Sequence, residues 1–187
     1  MGKLIAISAP SGAGKTSIVH YLLTHIPDLS FSISACSRQK RSNEVHGKDY
    51  YFIGIREFKN KISSNSFLEW EEVYNNQFYG TLYSEIDRIW SNEKTVIFDL
   101  DVEGALNIKR KYPKNCLSIF IMPPSLKVLE ERLIGRASES PESLHKRLDK
   151  AENEISRNKE FDSVILNDNF DVACNETAKL IYNFIKI

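Results

Sequence analysis

Eight residues near the N-terminus, Ala9-Pro10-Ser11-Gly12-Ala13-Gly14-Lys15-Thr16, constrain the fold more than any other part of the chain. An apolar run, Lys3 to Ala9, leads into them and predicts a short buried strand. Behind them Ile18, Val19, Leu22, Leu23 and Ile26 recur at helical spacing, and Pro27 marks a stop. A strand, a glycine-rich loop and a helix in that order match the phosphate-binding pattern GxxxxGK[ST], except that Ala9 occupies its first position. Gly12 and Gly14 allow backbone N–H groups to turn inward, where the helix N-terminus adds partial positive charge. Lys15 is placed to neutralise the outer phosphates, and the Thr16 hydroxyl to ligate Mg²⁺. The Ala9 departure matters only where that position needs positive φ. The loop points to a nucleoside triphosphate and says nothing about the acceptor.

The rest of the chain reads as α/β alternation. Thr95 to Leu100 and Leu117 to Met122 are continuous apolar runs, as expected of strands covered on both faces. Each precedes a helical pattern, which predicts βαβ crossovers and a parallel sheet. Asp162 to Leu166 adds a strand and Phe170 to Ile185 a closing helix. Phe31 to Ser37, Asp49 to Ile53 and Phe67 to Tyr74 read as half-buried strands, and Ser84 as the N-cap of a helix carrying Ile86 and Ile89. Two stretches depart from the alternation: a mixed segment over about 34–83 and a polar one around 135–141. We expect one domain with a core of 1–33, 84–125 and 157–187, a β-rich insert over about 34–83 and a short helical lid over about 126–156.

Composition narrows the partners. The 187 residues carry 25 Lys+Arg against 25 Asp+Glu, a net charge of zero. That balance argues against coating nucleic acid or an anionic membrane, which requires a broad basic field. Small anionic ligands remain open, held by a few local cations. Cys36, Cys116 and Cys174 are far apart and show no zinc spacing, which predicts free thiols in a reducing compartment. The chain opens directly on a strand pattern without a leader-like apolar region, and its apolar runs are shorter than the ~20 residues of a membrane span. A cytoplasmic protein is expected.

Asp99 and Asp101 lie two residues apart at the end of the 95–100 strand. Two readings stay open for them: acids near a nucleotide-bound metal, or a solvated strand-end turn. Five separated motifs then supply a more specific signal: SACSRQKRSNEVHGKDYYF (34–52), FLEW (67–70), FYGT (78–81), DLDVEG (99–104) and RLIGRASESPESLHKRL (132–148). In order and rough spacing they resemble the guanylate kinase family over essentially the whole chain. The resemblance implies a P-loop nucleotide-kinase fold and transfer of the γ-phosphoryl group of ATP to GMP and dGMP in purine nucleotide metabolism, with Mg²⁺. It implies ATP binding by Pro10, Ser11, Gly12, Ala13, Gly14, Lys15, Thr16, Ser17, Arg132, Arg136 and Asn167. It assigns the GMP phosphate to Arg38, Arg41, Tyr50 and Tyr79. The base falls to Ser34, Glu69, Gly80 and Thr81, with Asp99 and Asp101 nearby. Lys15, Arg38, Arg41, Arg136 and Arg147 become the catalytic cations, the last two on the lid.

These roles suit the residue types. Guanidinium forks and phenolic hydroxyls donate to a phosphate monoester. A carboxylate accepts guanine N1–H and the exocyclic amine side by side, whereas adenine presents an acceptor at N1. Lys40 and Asn43 depart from the family pattern and bear on loop shape, and one extra residue falls around 74–77. Two other readings compete: a catalytically silent interaction module, which intact Lys15 and Thr16 disfavour, and a kinase for another acceptor, which Glu69 and Ser34 disfavour.

Overall fold

A computed structural model describes residues 2–134 and 141–186. Its centre is a five-stranded parallel sheet in the order β2-β7-β1-β8-β9, formed by β1 (Leu4–Ser8), β2 (Leu29–Phe31), β7 (Thr95–Leu100), β8 (Cys116–Met122) and β9 (Ser163–Leu166). The middle strand β1 is buried throughout. Ile5 and Ile7 pack on one side with Ile18 and Leu22 of helix α1 (Lys15–His25) and Ile181 of α7 (Phe170–Lys186). Leu4 and Ala6 pack on the other with Phe98, Phe120 and Ile86 and Ile89 of α3 (Tyr83–Trp90), beside α4 (Val102–Lys111). A strand sandwiched this way has no polar face to present, which is why these sequences are apolar without alternation.

The insert has its own sheet, β4-β3-β6-β5, from β3 (Ala35–Cys36), β4 (Tyr51–Phe52), β5 (Phe67–Tyr74) and β6 (Gln77–Leu82). Its small core joins Ala35, Phe67, Phe78 and Leu82 to Phe58 of α2 (Gly54–Ser63), whose ring stacks on Phe67 at 4.3 Å. The β5–β6 ladder carries a register irregularity between Glu72 and Tyr74, beside the 74–77 turn. Two helices, α5 (Leu126–Ile134) and α6 (Pro141–Ser156), pack against each other on the far side of the cleft. The expected cap Ser140 and the lid arginine Arg136 lie outside the described residues.

Three expectations need correction. The alternating run Phe31 to Ser37 is not one strand. Phe31 ends a strand of the parallel sheet, and Ala35 begins one in the insert. Alternation records a half-buried strand but not which sheet it joins. The segment 54–63 is a helix that the strand-rich reading of 34–83 passed over. Helix α3 starts at Tyr83 with Leu82 as its cap residue, so Ser84 does not cap it. Strand β6 runs straight into α3, and the Tyr83 N–H is taken up by Ser66 O at 3.0 Å. The three cysteines are buried free thiols. No helix among the described residues is long and apolar enough to cross a membrane.

Candidate active site

The loop between β1 and α1 folds as its glycines require. Gly12 and Gly14 adopt φ of 92° and 93°, conformations costly for a residue with a Cβ. Positive φ among the described non-glycine residues occurs at Asn65, Asn76 and Glu93 and not at Ala9, so the alanine is accommodated without strain. Behind the loop the buried Asn167 amide donates to Ala13 O at 2.6 Å. A Cβ on Gly14 would stand 2.4 Å from that amide nitrogen. Arg132 in turn donates to Asn167 O at 3.2 Å. Asn167 and Arg132 therefore brace the loop from beneath, and Ala13 is fully buried under it.

Above the loop the cleft divides into two chambers. One, of about 350 Å³, is lined by Pro10, Ser11, Gly12, Gly14, Lys15, Thr16, Ser17 and, from α6, Arg147. The other, of about 310 Å³, is lined by Ser34, Tyr50, Glu69, Glu71, Tyr79 and Gly80 between the two sheets. Lys15, Tyr74, Asp99, Asp101 and Lys150 line both and form the waist between them. Lys15 is ion-paired with Asp99 and donates to Leu100 O at 2.6 Å. Thr16 Oγ1 donates to Asp99 Oδ2 at 2.9 Å. A hydroxyl whose proton is directed at Asp99 keeps its lone pairs for a hard cation, so this oxygen suits Mg²⁺ alongside phosphate oxygens. Asp101 instead turns to the N-terminus of α4, accepting from Gly104 N at 2.8 Å.

The floor of the smaller chamber follows from strand periodicity. Glu69, Glu71 and Val73 are spaced by two along β5 and all reach the chamber. Gly80 faces them from β6, where a Cβ would meet Glu69 O at 2.7 Å. Thr81 lies behind, fully buried, and donates to Glu69 Oε1 at 2.6 Å. Burial pushes the Glu69 carboxyl up to about 7, with Asp101 adding to the rise and Thr81 opposing it.

Tyr50 and Tyr79 meet edge to face with centroids 5.8 Å apart, and burial raises the Tyr50 phenol. Arg38 stands one layer back from them. Its Nε donates to Tyr79 OH at 3.0 Å, and its fork grips Glu44 at 2.7 and 2.6 Å. That grip holds the Glu44 carboxyl down at about 2. Arg41 is exposed and joins the same loop through its backbone N–H, 2.8 Å from Glu44 Oε2. Lys40 also closes this loop, donating to Glu44 O at 2.9 Å.

Sequence reasoning missed Glu44, Glu71, Tyr74, Lys150 and Glu154. Glu71 was legible as the next residue of the Glu69 face, and Lys150 as the residue one helical turn after Arg147. Glu44 carried no pattern of its own.

The chain is similar to known proteins over nearly its whole length. A family model described as guanylate kinase matches residues 1–183. Curated relatives named guanylate kinase include one from Bacteroides fragilis, 46% identical over 185 residues, covering 99% of this chain and 91% of the relative. Another, from Porphyromonas gingivalis, is 47% identical over 186 residues and covers 99% of both. The crystal structure of a guanylate kinase from Anaplasma phagocytophilum aligns with a TM-score of 0.74 at 29% identity, covering 99% of this chain and 85% of that one.

Proposed function

The chain belongs to the guanylate kinase family, and from that premise we propose how its two chambers divide the transfer of the γ-phosphoryl group from ATP to GMP. The observation that carries the reading is the waist: Lys15 lines both chambers, so a donor and an acceptor phosphate can meet at one cation.

In this reading the larger chamber takes the ATP phosphates. Backbone N–H groups of 10–17 hold them, and Lys15 exchanges Asp99 for the β- and γ-oxygens. The Thr16 hydroxyl would hold Mg²⁺ together with phosphate oxygens, and the ion would offset phosphate charge. The smaller chamber takes GMP. Glu69 accepts N1–H and one hydrogen of the exocyclic amine, while Ser34 and Thr81 complete the base site beside Gly80 and Asp101. Tyr50, Tyr79, Arg38 and Arg41 receive the GMP phosphate, with Glu44 aligning the Arg38 fork.

A GMP phosphate oxygen is already ionised near neutral pH, so the reaction needs no general base. It attacks the γ-phosphorus in line, the bond to the β–γ bridging oxygen breaks, and ADP leaves with that electron pair. Catalysis then rests on alignment and charge stabilisation. Arg136 and Arg147 complete the cationic ring as the 126–156 segment closes, and closure excludes water that would otherwise accept the phosphoryl group. Arg132 and Asn167 support the ATP site from behind the loop. In this reading the acceptors include dGMP, whose base and phosphate are those of GMP. The setting is cytoplasmic purine nucleotide metabolism.

Coupled measurement of ADP release tests this, comparing GMP with AMP, CMP, UMP and no acceptor. Release should require GMP or dGMP. Equal release without an acceptor would identify an ATPase, and no release with any acceptor a binding module.

A further inference from the structure

Four carboxyl groups line the smaller chamber: Glu69 and Asp99 each accept from a threonine hydroxyl and Asp101 from the Gly104 N–H, which leaves Glu71. Glu71 and Asp101 both line the wall between this chamber and a neighbouring hollow of about 400 Å³, and their carboxyl groups are hydrogen-bond partners there. Glu71 Oε2 is buried, and no donor among the described residues serves it. Two ionised carboxylates in contact would repel, so the contact is a hydrogen bond only when one carries a proton. Asp101 is the better anion of the pair. Burial raises it, but Glu71, the Gly104 N–H, Lys150 and Lys15 together bring it below its ordinary value. Glu71 moves the other way, to about 8, through its contact with Asp101, its burial and the charge of Asp101 and Glu103, against the opposing pull of Lys150. The charged and titratable groups lining the hollows around the pair are Tyr50, Glu69, Tyr74 and Tyr79 from the insert, Lys15, Asp99 and Glu103 from α1, β7 and α4, and Lys150, Glu154 and Arg157 from α6 and its end.

We propose that Glu71 is a positioning residue for guanine recognition: its protonated carboxyl donates to Asp101 and fixes Asp101 as an ionised acceptor for the exocyclic amine of GMP. Guanine carries three N–H donors on this edge, and Glu69 can accept two of them. Asp101 takes the third, and Glu71 keeps Asp101 from turning away or sharing a proton with the base. The inference rests on the GMP-kinase reading above and concerns only how the 2-amine is selected.

The test compares kcat/KM for GMP with that for IMP, which lacks the amine, in wild type, Glu71→Gln and Glu71→Ala. Melting temperature and ATP binding serve as checks on folding. A glutamine amide can donate to Asp101 as the protonated acid does, whereas alanine cannot. Glu71→Ala should cut the GMP:IMP preference by roughly 10-fold or more, the scale of one charged hydrogen bond. Glu71→Gln should stay within about threefold of wild type at pH 7, on the same scale. Between pH 7 and 8.5 the wild-type preference should fall as Glu71 ionises, and that of Glu71→Gln should not. Full preference in Glu71→Ala, or equal loss in both variants, overturns the proposal, because a purely structural role would lower both substrates alike. If wild type does not phosphorylate GMP at all, the kinase reading fails instead.

Discussion

Glu69 shows how the packing of a single side chain sets the chemistry of the smaller chamber. Its carboxyl sits in the floor between two sheets, braced by Thr81, and burial lifts it to about 7. The free protein therefore holds Glu69 partly protonated at neutral pH. Two guanine N–H donors favour the ionised form and lower that value. The sign follows: GMP binding releases a proton from Glu69 at pH values between the bound and free titrations, and the Glu69 contribution to affinity rises as pH climbs toward 7 and then levels off. Calorimetry of GMP binding near pH 6.5, in buffers of different ionisation enthalpy, should find more proton release in wild type than in Glu69→Gln. Equal release would mean that Glu69 does not meet the base. Glu69→Ala should lose guanine selection, with GMP kcat/KM down by about 10²-fold or more, while ATP binding persists.

At the level of elements, the phosphate loop is only as well placed as the residues beneath it. The loop's glycines permit its shape, and Asn167, beyond the end of β9, holds it there through Ala13 O. Removing that amide leaves a buried carbonyl without its donor, a loss of about 1–3 kcal/mol. Asn167→Ala should therefore raise the ATP KM several-fold while the GMP KM changes little; a parallel rise in both would assign Asn167 to general stability. A comparable strut joins insert to core. Glu85 of α3 is almost completely buried and accepts from Ile33 N at 3.0 Å and Tyr51 OH at 3.1 Å, while Arg88 balances its charge from the same helix. These ties span segments that sequence patterns describe separately. Helix periodicity gave α3 and α7 their places, yet neither Asn167 nor Glu85 was distinguishable along the chain as a brace. Helix α2 was missed for a similar reason. Its stripe of Ile55, Phe58 and Ile62 is there in the sequence but short, and of the three only Phe58 is fully buried.

Over the whole molecule, two sheets with separate cores flank a cleft whose far wall is α6. The chain is neutral overall, yet Lys15, Lys150 and Arg147 are gathered where phosphates would meet. Charge balance had excluded a broad basic surface, and the structure puts the anion-binding capacity in a narrow waist. If each nucleotide draws the walls together, each prepares the site for the other. A ligand at a hundredfold its Kd adds about 2.7 kcal/mol to stability, which moves the melting temperature of a chain this size by roughly 5–10 °C. GMP with a non-hydrolysable ATP analogue should raise it by more than the two shifts added; simple additivity would show two independent sites.

The sequence by itself determined the strand–loop–helix of the phosphate cradle, the doubly buried strands of the parallel sheet and the set of motifs that mark the family. Each of these is written locally, in glycines that allow positive φ, in unbroken apolar runs and in residues contiguous along the chain. Only the tertiary structure decided that Leu29–Phe31 and Ala35–Cys36 join different sheets, that Arg38 is held by Glu44, that Lys150 shares the waist with Lys15, and that Glu71 and Asp101 line one wall. A side chain's hydrogen-bond partner and its charge state depend on which distant segments pack around it, and one-dimensional spacing does not encode that packing.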